Sequence, residues 1–230
     1  MKNMTRIKTI LFDLDNTLID FIRMKRESCQ ATAKAMIKAG FKMDHKTAYR
    51  RLMSTYFRVG IESDRIFTKF LEKEGQFDHK ILAAAINAYL KAKNKYLKPY
   101  KNVKTTLNKL KKMGITLVIV TDAPKTKAYQ RLLAMDIESY FDFVIGFEDT
   151  GKTKRDGFPL QMAIDKLQKM IPNLQNDEIL MVGDSIIRDL HPAQKFGLQT
   201  ALAKYGEIRK ERGTTDYELR DISEIFQIIN

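Results

Sequence analysis

The sequence has one cysteine, Cys29, so no internal disulfide can form, and the usage fits a reducing cytoplasm. Its three histidines, His45, His79 and His191, stand far apart, which argues against a zinc site of the usual Cys/His kind. No stretch approaches the ~18–20 uncharged apolar residues that span a bilayer. The first residues, "MKNMTRIK", run straight into a strand-like segment without the apolar region or cleavage pattern of a signal peptide. There is no internal repeat and no low-complexity linker. What is present is 230 residues, 44% of them apolar and 30% charged. That describes a globular chain of one large domain, or one domain with a sizeable insertion.

The formal charge of +13 is unevenly placed. Residues 21–100 hold 18 Lys+Arg against 7 Asp+Glu, a balance of +11, while the other 150 residues hold 23 against 21. The basic excess belongs to one segment. It reads either as a solvated helical surface or as attraction for something anionic, a phosphorylated metabolite or nucleic acid.

After residue 100 strands and helices alternate. "ITLVIVTD" (115–122), "FDFVIGFED" (141–149), "EILMVGD" (178–184) and "LQTALAK" (198–204) are short apolar runs suited to parallel strands buried on both faces. Amphipathic stretches lie between them: 102–114, with Asn102 as N-cap and Gly114 as stop, and 159–171. The alternation predicts an α/β fold with a Rossmann-like open parallel sheet. The tail, 216–229, reads as a last short strand, an acidic cap and a closing amphipathic helix. Residues 21–100 differ, with helices expected over 22–39, 46–58, 62–74 and 79–97, punctuated by Gly40, Gly60 and Gly75. The expected division is therefore a core from 1–20 and 101–230 with an inserted helical domain, 21–100.

Three predicted strands end in aspartate: "ILFD" at Asp13, "VIVTD" at Asp122 and "LMVGD" at Asp184. Ligands of open parallel sheets bind beyond the carboxyl ends of the strands, near a switch in strand order. Three segments thus deliver carboxylates to one site, with further acids at Asp15 and Asp189. Clustered carboxylates repel unless neutralised, and a hard divalent cation with oxygen ligands does this. The lack of clustered His and Cys favours Mg²⁺ over zinc. Thr121 adds a hydroxyl, and Lys152 and Lys154 in "TGKTKRDG" add cations from a Gly-flanked loop. Metal, hydroxyl and lysine around a carboxylate suit phosphoryl transfer.

The same residues carry a family resemblance. "FDLDNTL" (12–18), "VTD" (120–122), a lysine in "GKTKRDG" (151–157) and "GDSIIRD" (183–189) resemble, in order and spacing, the motifs of the haloacid dehalogenase superfamily. The helical insertion resembles the cap of the branch that includes phosphoglycolate phosphatase. The resemblance implies that Asp13 is the nucleophile and that Asp15 exchanges protons with the leaving oxygen and with water. It implies Mg²⁺ on Asp13, the Asp15 backbone carbonyl, Asp184 and Asp189. Thr121, the Asp122 backbone N–H and one lysine would bind the phosphoryl group. In relatives the lysine is often followed by "PDP"; here Lys154 precedes "RDGFP", and alignment through the next helix favours Lys154, with Lys152 as the alternative.

Asp15 narrows the chemistry. Dehalogenation needs no acid two residues after the nucleophile, and phosphonate hydrolysis usually lacks it. The expected activity is Mg²⁺-dependent hydrolysis of a small phosphate monoester, with a sugar phosphomutase as the enzymatic alternative. A basic nucleic-acid-binding protein is the lesser reading: "YRRLMSTYFRVG" (49–60) interleaves aromatics with basic residues, but at the spacing of a helix core. The expected partner is a small phosphorylated metabolite. Substrate identity and oligomeric state are not readable from these motifs.

Overall fold

The computed structural model describes residues 6–60, 63 and 65–229. Residues 1–5, on which the reading of the chain's start partly rests, and residues 62 and 64 of the expected helix 62–74 lie outside the described residues. The chain divides into two compact units, Met1–Asp20 with Lys98–Asn230, and Phe21–Leu97.

The first unit is built on a six-stranded, all-parallel sheet. Its strands are β1 (Thr9–Phe12), β2 (Thr116–Val120), β3 (Phe143–Ile145), β4 (Ile179–Gly183), β5 (Gln199–Ala203) and β6 (Tyr217–Leu219). They lie in the order β3-β2-β1-β4-β5-β6. The apolar runs become strands because both faces of the sheet are covered: all four residues of β1 and all five of β4 are buried.

The helices of both units, in chain order, are α1 (Phe21–Ala39), α2 (His45–Val59), α3 (Ile66–Lys73), α4 (His79–Tyr96), α5 (Val103–Lys112), α6 (Lys125–Ala134), α7 (Phe147–Thr150), α8 (Phe158–Met170) and α9 (His191–Lys195). In α8 the buried residues Leu160, Ala163, Ile164 and Leu167 follow helical spacing. They join Leu11, Val118, Val120 and Met181 of the sheet in one core.

The second unit contains α1 to α4 around its own core of Cys29, Met36, Leu52, Tyr56, Phe70 and Ala85. Asp44 and Asp78 cap α2 and α4, accepting hydrogen bonds from Thr47 N at 3.0 Å and Ile81 N at 2.9 Å. Lys25 is buried there beside the rings of Phe21, Tyr56 and Tyr89 and donates to the Tyr89 hydroxyl at 2.8 Å. Most aromatics of 49–60 belong to this core, as expected, but Phe57 is 65% exposed. Among the described residues no helix is long and apolar enough to cross a membrane.

Two local expectations are corrected. Asn102 precedes α5 but its side chain does not cap it. Its backbone is left-handed, with φ of 65°, and the amide instead donates to the Asp221 carboxylate at 3.0 Å. The closing segment is a 3₁₀ helix, Ile222–Gln227, rather than an α-helix. It opens on Asp221, whose side chain accepts from Ser223 N at 2.8 Å, two residues on, the tight spacing of a turn rather than of an α-helical cap.

Candidate active site

β1 lies at the sheet centre, with β2 on one side and β4 on the other. Its register sets Phe12 beside Ile119 and Val182. The residues just beyond those positions are Asp13, Thr121 and Asp184. Strand order reverses at β1, since the chain adds β2 and β3 to one side and then β4 to β6 to the other. The acids that are 171 residues apart in sequence thus meet at the switch point, where Asp13 N donates to Val182 O at 2.9 Å.

One carboxylate oxygen each from Asp13, Asp184 and Asp189 fit within 4.8 Å of one another, and all three residues are buried. Asp189 lies against Gly183, where any Cβ would collide with its side chain, so β4 must end in glycine. Ser185 opens the following turn. Its hydroxyl accepts from Arg188 N at 3.1 Å, capping the helical turn that follows, while its own N–H donates to Asp189 Oδ2 at 3.1 Å.

Lys154 separates clearly from Lys152. Lys152 is exposed, whereas Lys154 is buried, with its ammonium paired to Asp13, 2.8 Å from Asp189 Oδ1 and 3.1 Å from the Val120 carbonyl. The loop that carries it holds its shape without the prolines. Thr153 N and Oγ1 donate to the Asp156 carboxylate at 2.9 and 2.7 Å, and the turn closes on Gly157 with φ of 84°. The Asp122 carboxylate accepts from Lys154 N at 2.7 Å, so this acid serves the lysine loop and is not among the three metal-range carboxylates. Thr121 is buried at the end of β2, its hydroxyl accepting from Ala123 N at 3.2 Å. Arg155, the next residue, is exposed.

The electrostatics follow from burial. Burial pushes the Asp184 carboxyl up, Asp13 and Asp189 push it further, and Arg188 and Lys154 offset part of the rise. Asp189 is raised by burial against the opposing pull of Lys154. Burial alone would lower Lys154, but Asp13, Asp189 and Asp122 outweigh it and hold the ammonium charged.

Three contacts were not anticipated from sequence. Thr17 Oγ1 donates to Asp13 Oδ2 at 3.3 Å. Arg188 Nη2 pairs with Asp184 at 3.0 Å, four residues on; its place inside "GDSIIRD" was the available signal. Buried Arg131 pairs with Asp15 at 2.6 Å across 116 residues, and no local pattern announces it. The Asp15 side chain accordingly stands outside the metal-range group.

The donor set suits a hard cation. It is three carboxylates with no nitrogen or sulfur, each offering an oxygen within 4.8 Å of the others.

Comparison with known proteins agrees with this arrangement. The family model for haloacid dehalogenase-like hydrolase matches residues 10–203. The chain is 28% identical to glyceraldehyde 3-phosphate phosphatase of Pyrococcus furiosus, over 98% of this chain and 94% of that one. It is 30% identical to the protein of the same name from Methanocaldococcus jannaschii, over 97% of each. Among solved structures, the HAD-hydrolase YfnB of Bacillus subtilis, described as bound to magnesium, superposes with a TM-score of 0.69 at 21% identity, covering 97% of this chain and 99% of that one. With a match across most of its length, the chain belongs to the haloacid dehalogenase-like hydrolase family.

Proposed function

We propose that the protein is a Mg²⁺-dependent phosphatase that hydrolyses a small phosphate monoester through an aspartyl-phosphate on Asp13. The observation that carries this reading is the buried Asp13–Lys154 pair at the switch point, with Asp184 and Asp189 completing an all-oxygen cation site. The names of the relatives make glyceraldehyde 3-phosphate the first substrate to test.

Asp13 would attack phosphorus as the ester P–O bond breaks, and Asp15 would give its proton to the leaving oxygen. Water would then attack the aspartyl-phosphate, passing a proton to Asp15 and releasing phosphate and free Asp13. Lys154 orients Asp13 and offsets charge gathering on the phosphoryl oxygens. Thr121 and the Asp122 N–H would hold those oxygens. Asp13, the Asp15 carbonyl, Asp184 and Asp189 would hold Mg²⁺. When bound, Mg²⁺ supplies neutralisation of the acid cluster and of the phosphate. The helical unit is read as the cap domain of this family, its basic surface attracting anionic substrates.

The test is phosphate release from an aryl phosphate and a panel of phosphorylated metabolites, with Mg²⁺ or EDTA, for wild type and Asp13→Asn. Release that needs Mg²⁺ and disappears in Asp13→Asn supports the reading. No release by well-folded wild type would sink it, and interconversion of sugar phosphates would favour the phosphomutase alternative.

A further inference from the structure

We infer that Arg131 is a positioning residue that fixes the Asp15 side chain for proton exchange with the leaving oxygen, an assignment that rests on the phosphatase reading above. The backbone around Asp15 is already constrained. Asn16 is left-handed, with φ of 63°, its N–H donates to Ile19 O at 2.7 Å, and Leu18 N donates to Leu14 O at 2.9 Å. A tight turn directs where residue 15 leaves the chain, but it does not fix χ1 and χ2 of an aspartate whose side chain is 21% exposed.

Arg131 adds a restraint on the side chain itself. It sits on α6, the helix that follows the Thr121–Asp122 loop, and its side chain is only 4% exposed. Its Nη1 meets Asp15 Oδ2 at 2.6 Å. A guanidinium is planar, always charged and pre-organised, so it holds a carboxylate in one orientation better than an ammonium would. Burying an arginine has a desolvation cost that a surface position would avoid. Here the cost falls at the one acid placed two residues after the proposed nucleophile. The contact also ties the loop after β1 to the helix after β2, so the elements holding Asp15, Thr121 and Asp122 move together.

The consequence is selective. Proton delivery matters most when the departing group is a basic alkoxide and least when it is a stabilised phenolate. kcat/KM covers events up to formation of the aspartyl-phosphate, so the shared hydrolysis of that intermediate does not obscure the comparison.

The experiment compares 4-nitrophenyl phosphate with a primary alkyl phosphate, glyceraldehyde 3-phosphate, for wild type, Arg131→Met, Arg131→Lys, Asp15→Asn and Asp15→Asn/Arg131→Met, all with Mg²⁺. Arg131→Met is expected to lose on the order of 100-fold in kcat/KM on the alkyl ester. Its loss on the aryl ester should be under about tenfold, and Arg131→Lys should recover part of the alkyl activity. Adding Arg131→Met to Asp15→Asn should cost no more than Asp15→Asn alone, because both act through one carboxyl. Equal losses on the two esters, or additive losses in the double variant, overturn the assignment. Should Arg131→Met fail to fold, Arg131→Lys keeps the buried charge and is judged by the same ratio of the two esters. Wild type inactive on both esters would overturn the phosphatase reading, and this assignment with it.

Discussion

Lys154 and Asp189 form an ion pair of 2.8 Å in which the two side chains are 1% and 0% exposed. The same ammonium pairs with Asp13, so one lysine neutralises two buried acids, one just after β1 and one in the helical turn after β4. Removing it leaves both carboxylates uncompensated, and breaking a buried pair in this way costs about 3–5 kcal/mol. Lys154→Met should therefore lower the urea midpoint of the EDTA-treated protein markedly and abolish phosphate release. Added Mg²⁺ should restore part of the stability and none of the activity. An unchanged midpoint would contradict the charge balance described here.

The pH dependence of the metal-free protein follows from Asp184 and Asp189. Both carboxyls are raised above the ordinary aspartate range by burial, so the folded state holds protons that the unfolded state releases. Their contribution is fully present below the unfolded value and is lost as pH rises through the folded values. The lowered acids Asp149 and Asp221 are ionised in both states above about pH 5, so they add no slope there. The urea midpoint in EDTA should fall between about pH 5 and 8, and saturating Mg²⁺ should flatten that fall. A midpoint that climbs over this interval in EDTA would refute the prediction.

Arg188 competes with any cation for Asp184, which its guanidinium meets at 3.0 and 3.3 Å. Its side chain is 45% exposed, a setting where ion pairs are worth up to about 1 kcal/mol, or about fivefold in affinity. Arg188→Gln should bind Mg²⁺ about fivefold more tightly by titration calorimetry, and its melting temperature should respond to lower Mg²⁺ concentrations. Weaker binding in the variant would assign Arg188 to supporting the site.

Cys29 is buried in the helical unit, and burial pushes its thiol up to about 12 against a smaller opposing pull from Lys25. Both features suppress thiolate chemistry. Native protein should show essentially no reaction with a thiol reagent at pH 8 and one equivalent after unfolding. Rapid native labelling would show that the helical unit opens easily.

Much of the fold could be read from local pattern. Runs such as "LVIV" and "LMV", short and bounded by turn residues, read as buried strands, and α8 carries its core stripe in its spacing. Patterns failed where a polar side chain had two partners to choose from. Asn102 has the chemistry of a cap, yet Asp221, 119 residues away, takes its amide. At the site, residue types placed Asp13, Asp184 and Lys154 among the candidates, but burial of Lys154 beside exposed Lys152 is a property of the closed loop, fixed by Thr153 and Asp156.

By itself the sequence determined that acids end the strands, that a lysine follows in a glycine-flanked loop, and that a basic helical segment interrupts the sheet. These are local facts, set by hydrophobic period and by which residues can sit at turns. Tertiary structure decided that β2, β1 and β4 are neighbours, that Asp189 presses on Gly183, and that Arg131 reaches Asp15. The first and the third depend on strand order and helix packing across long stretches of chain. The one exception in distance, Asp189 on Gly183, depends on how tightly the turn folds back over the strand end.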